Sequence, residues 1–130
     1  MRKFAAEAAQ LGPREAIASR LTDDRALPGF GHNLYPDGDP RAAALLDRFT
    51  PTPELARLQD AVKAITGLTP NVDYALMAAC ETLRLPDDAP FALFSVARCA
   101  GWIAHAIEQG AADTLIRPRA RYIGPQPEGT

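Results

Sequence analysis

His32 lies in a stretch, LPGFGHNLYPDGD over residues 27–39, so rich in Gly and Pro that it must be a shaped loop. Loops held by a rigid scaffold are where functional side chains concentrate, and imidazole is the side chain whose ordinary pKa lies close to neutrality. Gly29 and Gly31, on either side of Phe30, would let backbone N–H groups approach a ligand closely. The plainer reading is a histidine that caps a neighbouring turn. Asp73 heads a strongly apolar segment, NVDYALMAAC, and also has two readings. As an acid in the first turn of a helix it complements the helix dipole. Partly desolvated by apolar neighbours, it would gain the higher pKa that suits a general base. Arg98 interrupts the long apolar run 91–109. A guanidinium buried there needs an internal carboxylate or an anionic ligand, because an uncompensated buried charge is strongly destabilising, and Glu108 lies too far along to share its face. Arg41 falls in the first turn of a helix, where an anion is already welcome; a solvated first-turn Arg is the ordinary alternative. His105 shares the run with Arg98 and reads as a core or interface residue. Asp37 and Asp39 are two acids without a third ligand, so turn and cap roles explain them better than a metal loop, and no metal is expected. One loop imidazole, one helix-start carboxylate and two or three guanidiniums suit acid–base chemistry on a small polycarboxylate.

The elements that must position these groups are helical. Of 130 residues, 25 are Ala and 14 are Leu against 9 Val plus Ile, and such a composition loses little rotamer freedom in a helix. Gly12-Pro13 splits residues 2–21 into a helical hairpin, with Pro13 in the first turn of the second helix. Asp39 and Pro40 are the N-cap and first residue of a helix running through Phe49. Thr52-Pro53-Glu54 starts another, in which Leu55, Leu58, Val62 and Ile65 form one apolar stripe ending at Gly67. A cap-like stretch at 69–73 leads into a helix from about Asp73 to Leu85, apolar nearly all round and therefore buried on most sides. A turn at 86–90 precedes the long helix, which Gly110 closes, and residues 111–130 form an extended tail.

Length and charge bound the rest. A chain of 130 residues, 47% hydrophobic and 23% charged, suits one globular core. A net charge of -2 supplies no field for nucleic acid or an anionic membrane, and neither is expected as a partner. Any anion must be caught locally. Cys80 and Cys99 sit in apolar runs without a CxxC spacing and read as buried small hydrophobes in a reducing, cytoplasmic compartment. The opening MRKFAAEAAQ has Glu7 and Gln10 where a signal peptide needs an apolar core. Residues 91–109 have the length of a membrane span, but a central Arg costs at least about 2.5 kcal/mol in lipid. The run is therefore expected to be a helix buried in the complete fold of a soluble protein.

Four segments in order, LPGFGHNLYPDGDPRA, PNVDYALMAACETLRLP, FALFSVARCAGWIAHAIEQ and LIRPRARYIGP, resemble the successive signatures of the citrate synthase family, from about residue 27 to residue 124. The resemblance implies an all-α fold. Residues 1–86 would be much of the family's small, mobile domain, and 87–130 the long buried helix and tail that return to the large domain, most of which has no counterpart here. It implies condensation of acetyl-CoA with oxaloacetate to give citrate and CoA, or of a related acyl-CoA with a related 2-oxo acid. Acetyl-CoA would be a substrate and no cofactor would be permanently bound. His32 then matches the His that polarises the keto-acid carbonyl, and Asp73 the base that takes a methyl proton from acetyl-CoA. Arg41, Arg98 and Arg117 match guanidiniums that hold the dicarboxylate, with Arg117 reaching into the other subunit of a homodimer. Pro28, Gly29, Phe30 and Gly31 match a loop that takes the CoA adenine through its backbone.

The family's second catalytic His, which stabilises the enol, lies upstream of the matched region and has no candidate here. Asn33 follows the loop His, and Pro36 stands where some members place a basic residue suited to the CoA phosphate. Two functions compete. The chain is the C-terminal part of a condensing enzyme, competent only with the missing N-terminal portion supplied by a separate polypeptide, or a truncated, non-catalytic homologue serving as a ligand-binding or oligomerising helical module.

Overall fold

A computed structural model describes residues 1–112 of the chain; Arg117 and the expected tail lie outside these residues. Six helices follow one another among the described residues: α1 (Arg2–Leu11), α2 (Pro13–Thr22), α3 (Pro40–Leu46), α4 (Pro53–Thr66), α5 (Val72–Thr82) and α6 (Ala89–Ala112). Extended pairing among them is limited to one antiparallel bridge between Phe30 and Pro70. The all-α class expected from the composition is the class observed. The chain divides into two compact units, residues 1–97 and the residues from 98 onward.

In the first unit, α1 packs on α2, both contact α4, and α3 packs on α5. The hairpin turn rests on Gly12 at φ 92 with Pro13 opening α2. Phe4, Ile17, Leu58, Val62 and Tyr74 are fully buried at the centre of the core. The stripe on α4 is realised at Leu55, Leu58 and Val62, while Ile65 turns out to 43% exposure. Gly67 ends α4 in the left-handed conformation, as its type and position suggest. Arg20 is buried but not unpaired: its Nε and Nη2 both reach Glu7 Oε2, at 2.9 and 2.7 Å, and its guanidinium lies over the Phe4 ring.

Three helices differ at their boundaries from the sequence reading. α3 stops at Leu46 rather than Phe49. α5 stops at Thr82 because Arg84 takes φ 53 and Leu85 precedes Pro86, a position that disfavours helical geometry. α6 starts earlier, at Ala89, and carries Gly110 inside instead of ending on it. The burial expected of α6 refers to the complete fold; in this chain alone its surface is open. None of its residues is buried, and Phe91, Val96 and Ile107 are more than 60% exposed. Cys80 is buried as expected, whereas Cys99, on α6, is exposed. The core closes on side chains of α1, α2, α4, α5 and the 27–39 loop, so nothing in it requires α6. By length and composition alone α6 could also cross a membrane.

Candidate functional site

The loop of His32 is built on two glycines in the left-handed half of conformational space, Gly29 at φ 87 and Gly31 at φ 73. A Cβ on Gly29 would also run into Met1 and come within 3.2 Å of Tyr74 Cβ. Between them Phe30 turns inward, 7% exposed, edge-on to Phe4 at 6.3 Å and tilted on Tyr74 at 5.1 Å. The backbone around it is then stitched to the start of α5. Gly31 N–H donates to Thr69 O, Asn71 N–H to Gly29 O, and Asn71 Nδ2 to Gly31 O, each at 2.9 Å. The Phe30 N–H closes a turn onto Leu27 O. Thus the amides of Phe30 and Gly31 are spent inside the fold, and Gly31 shapes the loop rather than aiming its N–H outward.

Asn71 is the hinge pin of this arrangement. While its amide nitrogen holds the loop, its Oδ1 caps α5 by accepting from Asp73 N–H at 3.0 Å and Tyr74 N–H at 3.4 Å. Tyr74 fixes the helix from beneath: its hydroxyl is fully buried, donates to Leu55 O at 2.9 Å, and is held protonated by burial. Asp73 is left on the outer face of the first turn, exposed. The desolvation expected from its apolar helix is absent, because that helix turns Tyr74, Ala75, Met77, Ala78 and Cys80 inward and Asp73 away from them.

Asp39 begins as the expected N-cap of α3 and goes further. Its side chain is wholly inaccessible. Oδ1 accepts from the Arg41 N–H at 3.0 Å and from Arg41 Nε at 2.9 Å, and Oδ2 accepts from Arg41 Nη2 at 2.9 Å and from the Val72 N–H at 3.0 Å. The Arg41 guanidinium is the main cause holding this carboxyl at about 2, well below the usual carboxylate range, and the Arg41 and Val72 amides assist against the opposing effect of burial. Reciprocally, the bond to Asp39 raises the pKa of Arg41. Tyr35 and Asp73 add to this electrostatically, and the bond from the Val72 N–H to Asp39 brings the residue before Asp73 to the same carboxylate.

Arg41 then points at His32. Its Nη2 lies 3.2 Å from His32 Nε2, and its guanidinium stands over the Tyr35 ring, which is itself tilted against the imidazole at 4.9 Å. The Leu34 N–H donates to His32 Nδ1 at 3.1 Å. A neutral imidazole has one accepting nitrogen, so the tautomer decides at which of these two contacts His32 accepts. A guanidinium can only donate. His32 Nε2 thus accepts from Arg41 in one tautomer and is itself a donor in the other.

His32, Arg41 and Asp73 are thus brought together in the first unit. Arg98 belongs to the second. It is exposed on α6, its guanidinium folded back over Gly101 where a Cβ would collide with it. His105, on the same helix, is exposed rather than in a core, with Nδ1 3.2 Å from Glu108 Oε2. Arg117 lies outside the described residues. A groove of about 790 Å³ lined by Ala5, Ala9, Leu58 and Met77, and a smaller one of about 330 Å³ behind Asp39, include none of His32, Arg41 and Asp73. Arg41 and Asp73 are exposed and His32 is partly so.

Sequence reasoning missed the second role of Asp39 and the second role of Asn71. A residue two places before an Arg, at an N-cap, was a usable signal for the first. No local signal marked the bond from Asn71 to a carbonyl forty positions away.

The fold and the site define a helical domain that sets the His32 imidazole beside the Arg41 guanidinium at the head of α5. Residues 2–119 match the family described as citrate synthase, C-terminal domain, and the chain belongs to that family. It is 35% identical over 119 residues to a protein named citrate synthase 2 of Bacillus subtilis, covering 84% of this chain and 32% of that one. It is 34% identical over 124 residues to a citrate synthase of Haloferax volcanii, covering 88% and 33%. To 2-methylcitrate synthase 2 of Corynebacterium glutamicum it is 36% identical over 121 residues, covering 83% and 31%. The chain spans about a third of the length of these curated relatives.

Proposed function

We propose that this chain contributes His32, Arg41 and Asp73 to the condensation of an acyl-CoA with a 2-oxo dicarboxylate such as oxaloacetate. The observation that carries the reading is the placement of His32 Nε2 beside Arg41 Nη2, 3.2 Å apart, with Val72, the neighbour of Asp73, bonded to the same Asp39 carboxylate that holds Arg41. In the reaction Asp73 removes a proton from the acyl carbon next to the thioester carbonyl. The resulting enolate carbon attacks the keto carbon, whose oxygen takes the proton from His32 Nε2 as the carbonyl becomes an alcohol. Water then hydrolyses the thioester, releasing CoA and the tricarboxylate. Arg41 holds a carboxylate of the keto acid as a donor preset by Asp39.

Relatives that make citrate and 2-methylcitrate support acetyl- or propionyl-CoA as the acyl donor, a substrate rather than a bound cofactor. The enolate oxygen needs its own donor, and none of the groups near Asp73 supplies one, so that donor comes from the portion of the fold this chain does not span. The same portion is the cover we assign to the apolar α6. Arg98 and Arg117 join the dicarboxylate site in that assembly, Arg117 across a homodimer interface, and the loop of residues 28–31 meets the CoA adenine. The compartment is cytoplasmic.

The test is CoA release from acetyl-CoA and oxaloacetate. The 130-residue chain alone should be inactive, and co-expression with a polypeptide carrying the remaining two thirds of the fold should restore activity that Asp73→Asn abolishes. Failure of every such pairing, with folded chain and intact oxaloacetate binding at His32, would replace this reading with that of a non-catalytic binding module.

A further inference from the structure

We propose that Asp39 is a positioning residue, whose buried carboxylate sets the direction of Arg41 towards His32 and ties Arg41 to the head of the helix that carries Asp73. The proposal rests on the functional reading above for the roles of those three side chains, but its geometry stands alone. Both oxygens of Asp39 are used twice, and their four donors come from two places: three from Arg41 itself and one from Val72, thirty-three positions away.

The consequences are separable. With Nε and Nη2 both committed to one rigid carboxylate, the plane of the Arg41 guanidinium is fixed, and Nη2 is left near His32 Nε2 rather than sweeping through solvent. An arginine on an exposed side chain pays rotamer entropy to bind an anion; one already locked in place does not. The bond to Val72 acts on register. Val72 is the first residue of α5, where an N–H has no partner within its own helix, so Asp39 Oδ2 joins the start of α3 to the start of α5 one residue before Asp73. A cap alone would need neither the guanidinium nor Val72. Inaccessible and fully bonded, Asp39 does not itself meet a ligand.

Serine distinguishes this role from capping, because it caps a helix as well as aspartate does yet cannot span Arg41 and Val72. In the full chain without added ligand, hydrogen exchange and the ¹⁵N resonance of the Arg41 Nε–H are measured for wild type and Asp39→Ser. The variant should exchange the Val72 amide and the Arg41 Nε–H about ten- to a hundredfold faster, with the Tyr74 amide and the α4 amides unchanged and the His32 Nε2 resonance shifted. Unchanged rates at Val72 and Arg41, or an equal acceleration at every amide, would overturn the proposal. Should Asp39→Ser fail to fold, wild type decides. The Arg41 Nε–H should exchange at least about tenfold more slowly than that of Arg57, whose ion pair with Glu54 is exposed; equal rates would sink the idea. No keto acid enters the measurement, so its outcome is independent of the dicarboxylate reading.

Discussion

Replacing Asn71 by serine, and separately by alanine, divides two tasks that one amide performs. Oδ1 caps α5 through the Asp73 and Tyr74 amides, and Nδ2 holds the His32 loop through Gly31 O at 2.9 Å. A cap is worth about 1 kcal/mol, and a partly buried neutral hydrogen bond about another 1 kcal/mol. Serine keeps the first and is too short for the second, so Asn71→Ser should cost about 1 kcal/mol, while Asn71→Ala should cost about 2 kcal/mol. The loss in the serine variant should be local. Urea unfolding followed by far-UV circular dichroism gives the global values, and hydrogen exchange of the Gly31 amide, which donates to Thr69 O, reports whether the loop has loosened. Serine equal to wild type in both measurements would mean the tether carries nothing. Serine equal to alanine would mean the cap carries nothing.

Acid should weaken the fold through Asp39. Its folded pKa of about 2 lies below the ordinary 3.8, so its contribution is complete above about pH 4 and is lost as pH falls through about 2. That contribution is about 2 kcal/mol at 1.36 kcal/mol per pH unit; acid titration of wild type against Asp39→Asn should show it in the former alone. Gly29→Ala forces a left-handed residue to carry a Cβ against Tyr74 and Met1, and should cost about 1–3 kcal/mol in urea unfolding and loosen the bond from Asn71 N–H to Gly29 O. Arg98→Leu should change the stability of the chain by no more than about 0.5 kcal/mol, because the side chain is exposed on α6; in the assembled enzyme the same variant should raise the keto-acid KM about tenfold or more.

Proline, glycine and cap residues made most of the helices legible. Gly12-Pro13, Asp39-Pro40, Thr52-Pro53 and Gly67 each mark the boundary they suggest. Boundaries failed where the signal was equivocal: Gly110 is tolerated inside α6, and Leu85 loses helical geometry to the proline after it. His32, Arg41 and Asp73 could be picked out because a shaped loop and two helix starts are places where polar side chains are presented. Their mutual placement was not legible, since it depends on bonds such as Val72 to Asp39 and Asn71 to Gly31 that join distant parts of the chain. Arg98 was read through the apolarity of its helix, and apolarity states what a helix face prefers to meet, not what lies against it.

The base role of Asp73 is the centre of the account, and solvent exchange of the acetyl-CoA methyl protons in the assembled enzyme, with oxaloacetate or a stable analogue bound, tests it most directly. Asp73→Asn keeps the size of the side chain and the Asn71 cap, so folding and keto-acid binding should remain while methyl exchange falls by at least about 10²-fold. A variant that exchanges the methyl protons as fast as wild type would remove Asp73 from the base role and return it to a first-turn acid on α5.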